Sequence, residues 1–261
     1  MHNAAFRHLG IEASYQAWDI PPAELAAAVA RLREPGVYGA NVTIPHKLEV
    51  MPFLDEVSKV AKTIGAVNTI VNRQGRLLGT NTDAVGFSRA LGDVGVRPAG
   101  ISAVMLGAGG AARAVAYVLL TAGVRLLLVY NRTPARAERL ARDFAALGAI
   151  AVVPTSELPI CIGAADLLVN TTSVGMVGSK GDDLPLPELW LPRQGVVVDI
   201  IYRPSRTRLL REAQAAGLTI QNGLPMLVYQ GAESFSLWTG EQPPARAMLK
   251  AARLVLESLQ S

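Results

Sequence analysis

Gly107, Gly109 and Ala112 stand at the spacing G-x-G-x-x-A, between an apolar run, Ala103 to Leu106, and a helical pattern, Ala111 to Thr121. That spacing suits one kind of chemistry. A strand ends in a tight turn, backbone amides approach a pyrophosphate, and a helix turns its amino end toward the phosphates. Gly107 permits the turn, Gly109 the close approach, and the small Ala112 the packing of helix on strand. Glycine turns also precede helices for structural reasons alone. Here a second strand, Arg125 to Tyr130, completes the βαβ unit that binds a dinucleotide.

The end of that second strand chooses between cofactors. An acid there reads the ribose hydroxyls of NAD. This chain has Asn131-Arg132-Thr133-Pro134-Ala135-Arg136 instead. Two guanidiniums suit a 2′-phosphate, which they hold in bidentate, charge-assisted bonds, so NADP is the expected cofactor. Thr133 as a helix cap with Pro134 in the first helical position accounts for those two residues and leaves the arginines solvated. It does not account for the missing acid.

Upstream lie three polar clusters at the ends of predicted elements: Asn41 to Lys47, Asn68 within Gly65 to Val71, and Asn81-Thr82-Asp83. Singly, each has a plain reading. Lys47 is a surface charge, Asn68 a turn or edge-strand residue, and Asp83 an N-cap. All three together, at element ends and ahead of a nucleotide fold, are harder to set aside.

The elements that must carry these groups are α/β in pattern. Half of the 261 residues are hydrophobic and only 5% aromatic, as in proteins with buried parallel strands. The periodicity predicts a helix over 1–9, a strand over 14–20, a helix over 22–33, a strand over 37–43 followed by a helix, a hairpin over 65–80 and a helix over 84–91. From Gly107 onward the alternation is regular: helix 111–122, strand 125–130, helix 134–147, and strands at 149–153, 166–170 and 196–200. Residues 177–193 read as irregular. A helix at 205–216, a short strand at 218–220 and two closing helices follow, the last over about 245–259. The fold expected is a two-domain α/β protein. A first domain spans 1–83, which the family resemblance given below makes the substrate-binding domain; a Rossmann-type domain spans 84–223, and C-terminal helices over 224–261 return to the first. The formal charge of +4 is mild and its basic residues scattered, which leaves no nucleic-acid footprint. The single Cys161 excludes an internal disulfide and fits a reducing cytoplasm. No signal peptide or membrane-spanning stretch is visible, and no metal site is expected.

With these residues in view the chain resembles the shikimate dehydrogenases along its whole length. Asn41-Val42-Thr43-Ile44-Pro45-His46-Lys47 is similar to the family's N-(V/L)-T-x-P-x-K segment, Gly65 to Thr69 to its G-A-x-N-T, and Asn81 to Gly86 to its N-T-D-x-x-G. Gly107 to Ala111, Asn131-Arg132-Thr133 and Gly223-Leu224-Pro225-Met226-Leu227-Val228-Tyr229-Gln230 resemble its later signatures. The resemblance implies NADPH-dependent reduction of 3-dehydroshikimate to shikimate, and the reverse. It makes Lys47 and Asp83 the catalytic pair, and it puts Thr43, Asn68, Asp83, Tyr202 and Gln230 on the substrate. Gly107, Ala108, Gly109, Gly110, Ala111, Asn131, Arg132, Thr133 and Arg136 would hold NADP, with Ile200 and Gly223 near the nicotinamide. The expected partner is the small-molecule substrate, with no nucleic acid or membrane and with homodimerisation left open.

Two departures stand out. The family places a strand and a Ser-x-Ser-Pro segment before the residues matching Met1 to Ala4, which implies two further hydroxyls for the substrate carboxylate. The expectation is that the 261-residue chain binds NADP nearly normally and shikimate poorly, and that roughly twenty upstream residues restore affinity. Lys59 stands where some relatives carry an acid near the cofactor. The alternatives are a quinate or dual quinate/shikimate dehydrogenase and a non-catalytic nucleotide-binding paralogue. Arg132 argues against an NAD-using quinate enzyme, and Lys47 with Asp83 against the paralogue.

Overall fold

The computed structural model describes residues 1–178, 183–186 and 188–258. They form two compact units, Met1–Gly86 with Val228–Glu257, and Phe87–Leu227.

The chain opens on α1 (His2–Leu9), which stops at Gly10 in the left-handed conformation. A single 3-10 turn at Pro22–Glu24 leads into α2 (Leu25–Arg31). Then come β1 (Gly39–Asn41), β2 (Glu56–Val57), α3 (Lys59–Ile64), β3 (Thr69–Arg73), β4 (Arg76–Thr80) and α4 (Asp83–Asp93). The four strands lie in the order β1-β3-β4-β2. The β3–β4 hairpin closes through Gln74-Gly75, with φ of 53° and 88°. Two positive φ values at the centre of a two-residue loop match the twist of paired strands. Leu25, Val29 and Leu32 bury one face of α2 and its end against Val67, Ile70 and Leu77.

Two expectations for this unit fail. Residues 14–20 form no strand, because a side chain takes the place of a neighbouring strand there. Asn3 Nδ2 donates to Tyr15 O at 3.0 Å, and Tyr15 N donates to Asn3 Oδ1 at 2.6 Å. Nor does a helix follow β1. Residues 44–50 are turns, closed by a 3-10 turn at Met51–Phe53. The Lys47 carbonyl accepts from Val67 N at 2.8 Å, which turns it toward the segment before β3 and away from the axis along which a helical carbonyl points.

The second unit runs β5 (Ser102–Leu106), α5 (Gly110–Thr121), β6 (Leu126–Tyr130), α6 (Pro134–Phe144), β7 (Ile150–Val152), α7 (Leu158–Gly163), β8 (Leu167–Asn170), β9 (Val196–Asp199), α8 (Arg208–Ala215) and β10 (Thr219–Gln221). Its six strands are parallel, in the order β10-β9-β8-β5-β6-β7. This is the doubly wound dinucleotide-binding order, and its direction reverses between β5 and β8. Ligands of such sheets bind at that reversal, beyond the strand carboxyl ends. β5 and β8 are buried, as strands covered on both faces must be. α7 is absent from the sequence expectation. Six residues with one buried pair, Leu158 and Ile162, are too few to show a period.

α9 (Leu224–Thr239) and α10 (Ala245–Ser258) close the chain, and residues 228–257 belong to the first unit. The terminus expected to be helical to 259 passes outside the described residues after 258, and residues 179–182 and 187 of the irregular stretch also lie outside them.

Candidate active site

In the first unit, Lys47 Nζ donates to Asp83 Oδ2 at 2.6 Å, and both side chains are largely shielded, at 13% and 8% exposure. Lys47 sits on the turns after β1 and Asp83 on the first residue of α4. The other carboxylate oxygen, Asp83 Oδ1, accepts from Asn68 Nδ2 at 2.8 Å. The orientation of Asn68 is not arbitrary. Its Oδ1 accepts the backbone amide of Thr82 at 2.7 Å, which can only donate, so its Nδ2 must face Asp83. Gln230 Oε1 lies 3.4 Å from both Asn68 Nδ2 and Thr82 Oγ1. Lys47, Asn68, Asp83 and Gln230 are thus one hydrogen-bonded group. Asp83 does not spend its carboxylate on capping α4; Asn81 Oδ1 accepts from Ala84 N instead, at 3.3 Å. Thr43 lies exposed on the same turns, its hydroxyl unbonded among the described residues.

Behind this group is a layer of hydroxyls that the sequence did not single out. Ser234 is fully buried on α9, one turn beyond Gln230. Its Oγ lies 2.9 Å from Thr69 Oγ1, 3.1 Å from Thr82 Oγ1 and 2.9 Å from Asn41 Nδ2. Asn41 in turn accepts from the Tyr15 hydroxyl at 3.1 Å. The i,i+4 spacing of Gln230 and Ser234 was the one available signal, since it puts both on one helix face.

The second unit holds the dinucleotide motif at the sheet's reversal. Gly107 has φ 107°, and a Cβ on it would meet Thr171 Oγ1 at 2.5 Å. Its amide donates to Tyr130 O at 2.8 Å, which ties the glycine turn to the end of β6, where Asn131 and Arg132 follow. A Cβ on Gly109 would meet nothing within 4 Å. The fold therefore does not itself require glycine there, whereas a pyrophosphate drawn against the backbone does. The amides of Gly110 and Ala111 open α5, where no intrahelical acceptor serves them. These residues fit the phosphate end of a dinucleotide. Arg132, Thr133 and Arg136 are exposed around the start of α6. Thr133 does occupy the N-cap position with Pro134 behind it, but its side chain makes no capping bond. The turn is shaped by Asn131, whose Nδ2 donates to Thr133 O at 2.8 Å. Ile200 and Gly223 touch closely; a Cβ on Gly223 would fall 1.8 Å from Ile200 O. Tyr202, two residues on, is exposed. Among the described residues no group of three or more His, Cys, Asp or Glu side chains is placed to hold a metal ion.

Residues 1–70 match the family model of the shikimate dehydrogenase substrate binding domain, 95–179 that of shikimate / quinate 5-dehydrogenase, and 223–253 that of the shikimate 5′-dehydrogenase C-terminal domain. The NADP(+) shikimate dehydrogenase of Symbiobacterium thermophilum is 49% identical, over 98% of this chain and 89% of that protein. The chain belongs to the shikimate dehydrogenase family. The corresponding enzyme of Moorella thermoacetica is 48% identical over 97% of this chain and 87% of its own. The crystal structure of Thermus thermophilus shikimate 5-dehydrogenase with NADP(H) and shikimate matches with a TM-score of 0.87 at 45% identity, covering 98% of this chain and 93% of that one.

The strongest polar feature of the second unit was not foreseen either. Asp199, at the end of β9, is completely buried. Burial pushes its carboxyl up to about 6, against the opposing pull of hydrogen bonds from Ile201, Thr207 and Asn170.

Proposed function

We propose that this chain catalyses the NADP-dependent, reversible reduction of 3-dehydroshikimate to shikimate, with Lys47 and Asp83 as the catalytic pair. The observation that carries the reading is the shielded ammonium of Lys47, aimed by a carboxylate whose two oxygens are both engaged. NADPH, when bound, supplies the hydride that reaches the carbonyl carbon, and NADP takes it back in the reverse direction. Charge then develops on the carbonyl oxygen, and a positioned donor is what stabilises it. Lys47 Nζ donates to that oxygen and gives it a proton; in the reverse direction it takes the proton from the hydroxyl. Asp83 Oδ2 orients Lys47 and shares the proton's return to solvent. Asn68, by holding Asp83 Oδ1, keeps the carboxylate from turning.

Thr43, Asn68, Asp83 and Gln230 bind the ring hydroxyls, and Tyr202 also contacts the substrate. The amides of Ala108 to Ala111 take the pyrophosphate, and Gly107 shapes the turn that presents them. Asn131, Arg132, Thr133 and Arg136 hold the adenosine end, with Arg132 on the 2′-phosphate, and Ile200 and Gly223 border the nicotinamide. Residues 1–83 and 224–261 act as the substrate domain, and 84–223 as the NADP domain. Cys161 is a free thiol, and no described helix is long and apolar enough to cross a membrane; both fit an enzyme working in the cytoplasm, for which a homodimer is the proposed state. The test is NADP reduction with shikimate and with quinate, for the wild type and for Lys47→Ala. Turnover of shikimate that depends on Lys47 supports the reading, and turnover indifferent to Lys47 defeats it.

A further inference from the structure

The carboxyl edge of the second unit's sheet is tied together by one buried carboxylate. Asp199 Oδ1 accepts from Asn170 Nδ2 and from Ile201 N, each at 3.0 Å, and Oδ2 accepts from Thr207 Oγ1 at 2.8 Å. The donor roles follow from backbone groups that can act in only one way. Thr172 N donates to Asn170 Oδ1 at 3.0 Å, so the amide nitrogen of Asn170 faces Asp199. Leu210 N donates to Thr207 Oγ1 at 3.4 Å as α8 begins, which leaves the threonine proton for Asp199. Every group that reaches Asp199 is thus a donor, and a carboxylate is the side chain that can accept all of them.

The segments so joined are the ones that border the reversal of the sheet. Asn170 O accepts from Ile200 N at 3.1 Å, and Ile201 O accepts from Gly223 N at 2.9 Å. Thr171 Oγ1 donates to Leu106 O at 2.6 Å, directly before Gly107. Thr172 Oγ1 accepts from Val174 N at 3.2 Å and holds the next turn of that loop. The ends of β5, β8 and β9 and the residue before α9 form one continuous network, with Asp199 at the point where the strands from β8 and β9 meet it.

We propose that Asp199 is a positioning residue for the nicotinamide end of the cofactor: it fixes Ile200 to Tyr202 and, through Asn170, the loop 171–174 against Gly107 and Gly223. This rests on the reading above that puts Ile200, Gly223 and Tyr202 beside nicotinamide and substrate. Asp199 touches neither, and it acts through the backbone it holds. The adenosine end, at Arg132 and the start of α6, meets the network only through the Gly107 amide on Tyr130 O, several bonds from Asp199, so the two ends of NADP should respond differently to its loss.

The experiment uses the full chain, with Asp199→Asn as the main variant. Thr207→Val is a second one, which at nearly constant shape removes one donor to Asp199 together with the cap on Leu210 N. Asp166→Asn is the control: Asp166 Oδ2 accepts Ser102 N at 2.8 Å at the opposite, amino edge of the same sheet. Amide hydrogen exchange on ligand-free protein, affinities for NADP and for adenosine 2′,5′-bisphosphate, and the isotope effect with NADPH deuterated at the transferred position are measured for each. In Asp199→Asn, exchange at Thr172, Ile201 and Gly223 should rise about tenfold, and NADP should bind about tenfold more weakly, the loss expected from one hydrogen bond to a charged group. The bisphosphate, which lacks the nicotinamide, should bind within about twofold of wild type, and the isotope effect should grow as hydride transfer becomes limiting. Thr207→Val should move the same quantities in the same direction by less. Unchanged exchange at those amides, equal losses for NADP and the bisphosphate, or the same pattern from Asp166→Asn would each overturn the proposal. A wild-type chain that binds NADP but ignores shikimate defeats the functional reading instead, and exchange together with the two affinities still decides the role of Asp199.

Discussion

Lys47 has no helix to hold it. Its backbone lies on turns, and its side chain is a flexible stem with a point charge at the end. What fixes the ammonium is Asp83, and what fixes Asp83 is Asn68. Lys47→Ala should therefore lower kcat by roughly 10²–10⁴, the range for a lost general acid–base group. Steady-state kinetics in both directions checks this; a raised KM with kcat intact would assign Lys47 to substrate binding alone. Arg132 is the opposite case, an exposed residue whose use depends on a ligand. Arg132→Ala should weaken NADP by about 1.5–3 kcal/mol for each charge-assisted bond lost and leave NAD nearly unaffected. Calorimetric titration with both cofactors separates the two, and equal losses would remove Arg132 from the 2′-phosphate.

Among the elements, the glycine turn between β5 and α5 contains two glycines needed for different reasons. Gly107 is required by the fold. At φ 107°, with Thr171 Oγ1 2.5 Å from where a Cβ would go, Gly107→Ala should cost about 1–3 kcal/mol of stability. Gly109 has ordinary dihedrals and open space around it. Gly109→Ala should cost at most about 1 kcal/mol, the penalty for alanine at an N-cap, yet should impair NADP binding strongly. Thermal denaturation and cofactor titration on both variants show whether stability and binding part in this way. α9 has an equally specific dependence. Trp238 Nε1 donates to Ile70 O at 2.9 Å, and a Cβ on Gly39 would lie 2.0 Å from that oxygen and 2.7 Å from that nitrogen. The return of α9 to the first unit thus depends on a glycine almost two hundred residues earlier.

At the scale of the molecule, Asp199 links the NADP-binding unit to pH. Its folded carboxyl is raised from 3.8 to about 6, so between those values the folded state binds a proton more readily than the unfolded chain. The cost of keeping it ionised is therefore absent below about pH 4, grows as pH rises, and is complete above about pH 6. From the size of the shift it amounts to on the order of 3 kcal/mol. The stability of the wild type relative to Asp199→Asn should fall by about that much between pH 4 and 6 and stay level above, a comparison in which other titrating groups cancel. Denaturant unfolding at several pH values measures it; a difference independent of pH would mean that Asp199 titrates normally.

Much of this was legible in the sequence because it depends on local rules. The parallel strands announce themselves as apolar runs, the βαβ turn by its glycine spacing, and the cofactor preference by Asn131 and Arg132 where an acid would stand. The motif resemblance named Lys47, Asn68, Asp83 and Gln230, which the fold joins in one hydrogen-bonded group. What the sequence could not decide was how side chains compete for backbone groups. Residues 14–20 read as a strand, but the side-chain amide of Asn3 captures Tyr15. Residues 44–50 read as a helix start, but Val67 claims the Lys47 carbonyl. Asp199 carries no local signature, and Ser234 only its i,i+4 spacing from Gln230, since a hydroxyl on a helix and an acid at a strand end are ordinary until burial removes water. Only the tertiary structure brings Asn41, Thr69 and Thr82 around Ser234, and Asn170, Ile201 and Thr207 around Asp199. Buried polar groups must find partners wherever the fold puts them, and those partners lie far off in sequence.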